Sequence, residues 1–90
     1  MKKAIYPGTF DPITLGHIDI IKRASKIFDS ITVAVSISLD KKTMFSLDKR
    51  VEFIQKATKD INSIKIKSFD GLLVDFAKKE NTFTIVRGVR

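Results

Sequence analysis

"KAIYPGTFDPITLGHIDIIKRASKIFDSITVAVSI", residues 3–37, reads as strand, turn, helix and strand in one unbroken run. Lys3 to Tyr6 makes a short apolar strand that Pro7-Gly8 ends. From Gly16 to Phe28, the residues Ile18, Ile20, Ile21, Ala24, Ile27 and Phe28 form a broad apolar stripe at helical spacing. Ser30 to Ile37 then carries Ile31, Val33, Val35 and Ile37, with Ala34 between them. A β-branched segment that is nearly apolar throughout suits a strand covered on both faces, as in a parallel sheet. A helix that joins two parallel strands is a right-handed crossover.

The alternation continues outward from this unit. After the polar loop "SLDKKTMFS", Ser46 is placed to cap a helix that Leu47 begins, and Asp48 suits its positive end. Val51, Ile54 and Ala57 give that helix an inner face, and Glu52 and Lys56 are spaced to pair on its outer face. Ile61 to Phe69 reads as a third strand. There Ile64 and Ile66 alternate with lysines, as at a sheet edge with one wet face. Gly71 to Glu80 is a third helix, and Phe83 to Val86 a fourth strand that runs directly into Arg87-Gly88-Val89-Arg90. The expected fold is α/β: a Rossmann-like parallel sheet of order 3-2-1-4 with helices on both faces, in a single domain over residues 1–90. In that order the chain reverses between strands 1 and 4, and ligands bind outside the carboxyl ends of the strands at such a point. Pro7 to His17 and Arg87 to Arg90 would meet there, although they lie at opposite ends of the sequence.

Composition narrows the chemistry. The 90 residues suffice for one domain. There is no cysteine and one histidine, so neither a disulfide framework nor a structural zinc site can be built. No apolar run approaches the ~20 residues that span a bilayer. The basic start reaches Pro7-Gly8 too soon for a signal peptide, so a cytoplasmic protein is expected. Seventeen Lys and Arg against ten Asp and Glu give a net charge of +7, which suits an anionic partner: nucleic acid, a membrane surface or phosphorylated small molecules. A solvated lysine face explains the same charge, and no basic run with interleaved aromatics appears. The patterns GxxxxGK[ST] and GxGxxG are both absent, and no Ser-His-Asp arrangement is suggested.

The Pro7 to His17 run can still cradle phosphate. Gly8 allows close backbone approach or a positive φ, and Thr9 offers a hydroxyl and an N–H. A helix that begins near Gly16 presents unpaired N–H groups and a positive dipole end. In that field His17 is expected to be a neutral hydrogen-bond donor. The plainer reading of Thr14-Leu15-Gly16-His17 is an N-cap followed by a solvent-exposed His, and spacing alone leaves the two level. Arg87 and Arg90 can grip phosphate bidentately, and Lys41 and Lys42 follow strand 2 toward the same rim. Each also reads as an ordinary surface cation; their convergence on one crevice favours a site.

"YPGTFDPITLGH", "KKTMFSLDKR", "GLLVDFA" and the terminal "RGVR" together resemble the phosphopantetheine adenylyltransferase family of bacterial coenzyme A synthesis. Thr14 to His17 matches the Thr-x-Gly-His signature of the wider nucleotidyltransferase superfamily. The likeness runs from Met1 to Arg90. It implies transfer of the adenylyl group of ATP to 4'-phosphopantetheine, giving dephospho-coenzyme A and pyrophosphate. It further implies that Thr9 and the Phe10 backbone touch the phosphates and nucleotide. His17 would steady charge on the α-phosphate, and Gly88, Val89 and Arg90 would belong to the ATP site. Lys41, Arg87 and Leu73, with Thr9, would hold the phosphopantetheine. Magnesium would arrive with ATP and take no protein ligand. Coenzyme A would be a candidate inhibitor, and the assembly a homo-oligomer, hexameric in that family, with neither nucleic acid nor membrane as partner. The family's chains continue past this point into an acidic ATP-binding segment, a Ser-rich loop and further helices, so the sequence corresponds to their N-terminal part, cut after strand 4. Rival readings are a superfamily cytidylyltransferase, a non-catalytic phosphopantetheine-binding fragment and a small basic nucleic-acid-binding module.

Overall fold

In the computed structural model, residues 2–37 and 43–88 are described. Six elements follow one another: β1 (Lys3–Gly8), α1 (Leu15–Ser25), β2 (Ser30–Ile37), α2 (Leu47–Thr58), β3 (Ile64–Asp70) and α3 (Leu73–Glu80). All three strands are parallel and lie in the order β1-β2-β3. Tyr6 stands beside Val33, and Val33 beside Ile66.

β2 is the central strand, and its near-continuous apolar sequence follows from its cover. Ile31, Val33 and Val35 join Tyr6, Phe10, Ile21 and Ala24 of α1 and Ile54 of α2 in one core cluster. Ala34, on the alternate face, joins Ile5 with Phe76 and Ala77 of α3. Side chains alternate across a strand, so α1 and α2 cover one face and α3 the other. Ile5, Ile21, Ile31, Ile54, Val33 and Val35 are fully buried. Each such side chain contributes roughly 1.5–3 kcal/mol by leaving water. Ile64 and Ile66 of β3 are half-buried against this core, while Lys65 and Lys67 are exposed. β3 is therefore the wet edge that its alternation predicts, and edge lysines discourage pairing with another chain.

Four elements have boundaries that differ from the sequence reading. β1 runs on through Pro7-Gly8. α1 stops at Ser25 rather than Phe28 and leaves Ile27 largely exposed in the following turn, where the Ile27 and Phe28 amides bond back to the Ala24 carbonyl. β3 begins at Ile64, because Ile61 closes the end of α2 on the Thr58 carbonyl and Ser63 takes a positive φ of 66°. α3 begins at Leu73, after Gly71 at φ +86°. On the outer face of α2, Glu52 pairs with Lys49 at 3.6 Å instead of with Lys56.

The expected fourth strand is the larger correction. Residues 83–86 make a single parallel bridge, Ile5 to Ile85, on the free side of β1. The Ile5 amide donates to the Thr84 carbonyl at 2.9 Å, and the Val86 amide donates to the Ile5 carbonyl at 2.8 Å. The ladder extends no further among the described residues, so the sheet has three strands in the order β1-β2-β3, with the bridge on the side of β1 where the order 3-2-1-4 places a fourth. Phe83 and Thr84 lie exposed, and without cover the segment gains little from lengthening its pairing. No helix among the described residues is long and apolar enough to cross a membrane.

Candidate functional site

The carboxyl end of β1 leads into a turn built around a buried aromatic. Phe10 adopts a positive φ of 49° and is buried. Its ring meets Tyr6 edge-on, with centroids 5.4 Å apart, and His17 edge-on at 4.9 Å. Gly8 makes room for it: a Cβ at residue 8 would stand 3.0 Å from Phe10 Cε2. The close approach expected at Gly8 is therefore to the chain's own aromatic ring. Burial raises the Tyr6 phenol above its ordinary pKa of 10.0.

At the start of α1, Thr14 is the N-cap, in extended conformation, and its Oγ1 accepts from the His17 amide at 3.3 Å. The Thr14 amide in turn donates to His17 Nδ1 at 2.9 Å. This is a capping box in which imidazole replaces the usual Glu or Gln at N3. Because Nδ1 accepts an N–H, it carries the lone pair and the proton sits on Nε2. A neutral imidazole held in this way has one fixed tautomer. The plain reading of Thr14 as a cap is correct; the reciprocal bond from the ring was also legible, since residues 14 and 17 have capping-box spacing.

Tyr6, Pro7, Thr14, Gly16, His17, Ile20 and Gly88 line one cleft of about 460 Å³. It lies at the carboxyl end of β1, where α/β sheets bind their ligands. A larger hollow of about 690 Å³ lies at the amino end of β1, between Lys2, Lys3 and residues 81–84, away from the His17 cleft. The first cleft brings together Thr14, Gly16, His17 and Gly88 from the two ends of the sequence. Gly88 lies against α1, and a Cβ there would collide with Ile20 Cδ1.

The remaining predicted residues are placed as follows. Thr9 is half-buried and directs its carbonyl to Arg50. Phe10 buries its ring, leaving only its backbone for a ligand. Arg87 is exposed, next to Gly88. Leu73 stands apart from the cleft, lining an apolar hollow of about 340 Å³ with Val74, Ala77, Phe83 and Ile85. Lys41, Lys42, Val89 and Arg90 lie outside the described residues. Among those described, no group of three His, Cys, Asp or Glu side chains is placed to hold a metal ion.

Two residues that the sequence reading passed over fasten the turn. Arg50 of α2 is buried at 3% exposure. Its Nη1 donates to the Thr9 carbonyl at 2.9 Å and to the Ser36 carbonyl at 3.1 Å, bridging the ends of β1 and β2. Asp11 accepts from the Phe45 amide at 2.8 Å and from the Met44 amide. Arg50 falls one turn before Ile54 on the inner face of α2, and a cation at such a position was the available signal.

A profile of the cytidylyltransferase-like family matches residues 5–90. The chain belongs to that family. Among curated proteins, this member is 61% identical over 88 residues to the phosphopantetheine adenylyltransferase of Nautilia profundicola, covering 98% of this chain and 57% of that one. The phosphopantetheine adenylyltransferase of Moorella thermoacetica is 58% identical over 90 residues, covering all of this chain and 56% of its own. That of Clostridium novyi is 54% identical over the same length, with 56% of its own chain covered. This cytidylyltransferase-like chain thus spans a little over half the length of the curated relatives it matches.

Proposed function

We propose that the full-length protein transfers the adenylyl group of ATP to 4'-phosphopantetheine, forming dephospho-coenzyme A and pyrophosphate. The observation that carries this reading is the single cleft in which Thr14, Gly16 and His17 meet Gly88. The names of the relatives support the choice of substrates. A phosphate oxygen of phosphopantetheine attacks the α-phosphorus, the bond to the bridging β-phosphate oxygen breaks, and pyrophosphate leaves with that electron pair. The nucleophile is already ionised at neutral pH, so the protein supplies position and charge stabilisation in place of a general base. His17, with its proton on Nε2, donates to a non-bridging oxygen of the α-phosphate. The positive end of α1 adds to the same field.

Thr9 and the Phe10 backbone contact the phosphates, and Gly88, Val89 and Arg90 contribute to the ATP side. Arg87 and Lys41 hold the phosphate of phosphopantetheine. The apolar hollow beside Leu73 suits an aliphatic arm. Magnesium enters bound to the ATP phosphates, as part of the substrate. In the full-length fold, residues 83–86 extend their one bridge into a fourth strand, giving the order 3-2-1-4. The protein works in the cytoplasm as a homo-oligomer, a hexamer by the resemblance, with coenzyme A as a product-like inhibitor and no nucleic-acid partner.

Calorimetric titration of a protein of the relatives' full length that carries this sequence tests the reading. Binding of ATP and of 4'-phosphopantetheine is expected. Binding of CTP in preference to ATP would move the activity to a cytidylyltransferase. Tight binding of a short DNA duplex that falls steeply with salt would replace the enzyme with a nucleic-acid-binding module.

A further inference from the structure

We propose that Arg50 and Asp11 are positioning residues, which fasten the Thr9–Asp11 turn from both sides and thereby fix His17 for the transfer described above; the role in turnover rests on that reading. The turn holds a non-glycine residue, Phe10, at φ 49°. A conformation of this kind is strained for a residue with a side chain and persists only where the surroundings impose it. Arg50 imposes it before Phe10, by binding the Thr9 carbonyl at 2.9 Å while anchored on the Ser36 carbonyl at 3.1 Å. Asp11 imposes it after Phe10, by accepting the amides of Met44 and Phe45. Both fastenings reach the same neighbouring segment, residues 44–50, so the turn is tied to the start of α2 at each end.

The connection to His17 runs through one side chain. The Phe10 ring lies 4.9 Å from the imidazole at 67°, and it also meets Tyr6. If the turn relaxes, Phe10 leaves its positive-φ position and the imidazole loses the surface against which it rests. The Thr14 amide and hydroxyl would still lie against Nδ1 at 2.9 and 3.0 Å, but both contacts fall on that one nitrogen, about which the ring can turn. A misplacement near 1 Å at a reacting centre is enough to cost roughly a hundredfold in rate.

Arg50→Lys keeps the charge and most of the aliphatic stem, but the shorter side chain does not carry its ammonium to the place of Nη1, the one nitrogen that binds both carbonyls. Asp11→Asn keeps the shape and loses the charge that strengthens the two bonds it accepts. Both are made in the full-length protein, with histidines labelled with nitrogen-15 and the His17 signal identified from a His17→Gln control. In the parent protein the signal is that of the Nε2–H tautomer. In both variants the signal shifts toward that of a free imidazole exchanging tautomers, and the kcat for dephospho-coenzyme A formation falls roughly 10–100-fold with little change in either KM. Folded variants with the parental His17 signal would overturn the proposal. So would loss of the fold in both, which would make the pair structural. The imidazole signal is read without turnover, so a protein that fails to adenylate phosphopantetheine would refute the proposed reaction and still decide whether Arg50 and Asp11 position His17.

Discussion

In the proposed reaction His17 has two tasks on one ring. Nδ1 closes the capping box of α1, and this leaves the proton on Nε2, the nitrogen that would face an anion. The helix contact therefore determines the form in which the imidazole can act. Thr14→Ala removes the hydroxyl, which both caps α1 and lies 3.0 Å from Nδ1, and keeps the backbone amide that holds Nδ1. Thermal unfolding of the variant is expected to show a loss of about 1 kcal/mol, and an unchanged midpoint would show that the hydroxyl cap carries no stability. Arg87→Ala should weaken 4'-phosphopantetheine roughly tenfold to a hundredfold, the value of a charge-assisted contact, while leaving ATP nearly unchanged; equal losses for both ligands would remove Arg87 from the substrate site. Tyr6 gives a pH signature. Its native pKa lies above 10.0, so the unfolded chain ionises first as pH rises. The stability from neutral, buried Tyr6 is thus complete below pH 10 and is lost as pH climbs toward the native value. Urea unfolding between pH 9 and 11 should show the parent losing more stability than Tyr6→Phe, and parallel curves would contradict this. At this scale His17 was legible as a residue of interest, because it is the one histidine and stands at a loop-to-helix boundary. Arg50 was legible only through its spacing, one turn before Ile54 on the inner face of α2, since nothing local in "LDKR" distinguishes a buried cation from a solvated one.

The elements were legible where periodicity is strong. β2 and the start of α2 fall where their patterns place them, because a β-branched, largely apolar stretch and a Ser46 cap leave few alternatives. Element ends were less legible. They depend on turns such as Ser63 at φ 66°, where a non-glycine residue takes a conformation that composition does not announce. Gly8 shows the same limit. Its need for a small side chain comes from the Phe10 ring across the turn, a tertiary contact. Gly8→Ala should crowd that ring at 3.0 Å and destabilise the protein by about 1–3 kcal/mol. Thermal melting reads the loss, and an unchanged midpoint would show that Phe10 moves aside without cost.

At the scale of the whole molecule, the α3 side carries the least complete cover. Leu72, Val74 and Phe83 are 65%, 53% and 66% exposed, beside the single bridge at Ile85. Apolar surface next to an unfinished sheet edge favours association. The 90-residue chain alone should self-associate in sedimentation experiments at micromolar concentration, and a monodisperse monomer with a sharp, high thermal transition would contradict this. The meeting of Pro7–His17 with the segment after residue 86 was readable only through topology, since parallel crossovers bring the chain back to β1 from a distance. The central claim is that adenylyl transfer occurs in that junction, and steady-state kinetics of His17→Ala at the relatives' full length test it most directly. Loss of a donor that acts on developing charge should lower the kcat for dephospho-coenzyme A formation by about a hundredfold or more, with the KM for ATP moving much less. Parental kcat in the variant, or a raised KM at unchanged kcat, would contradict it.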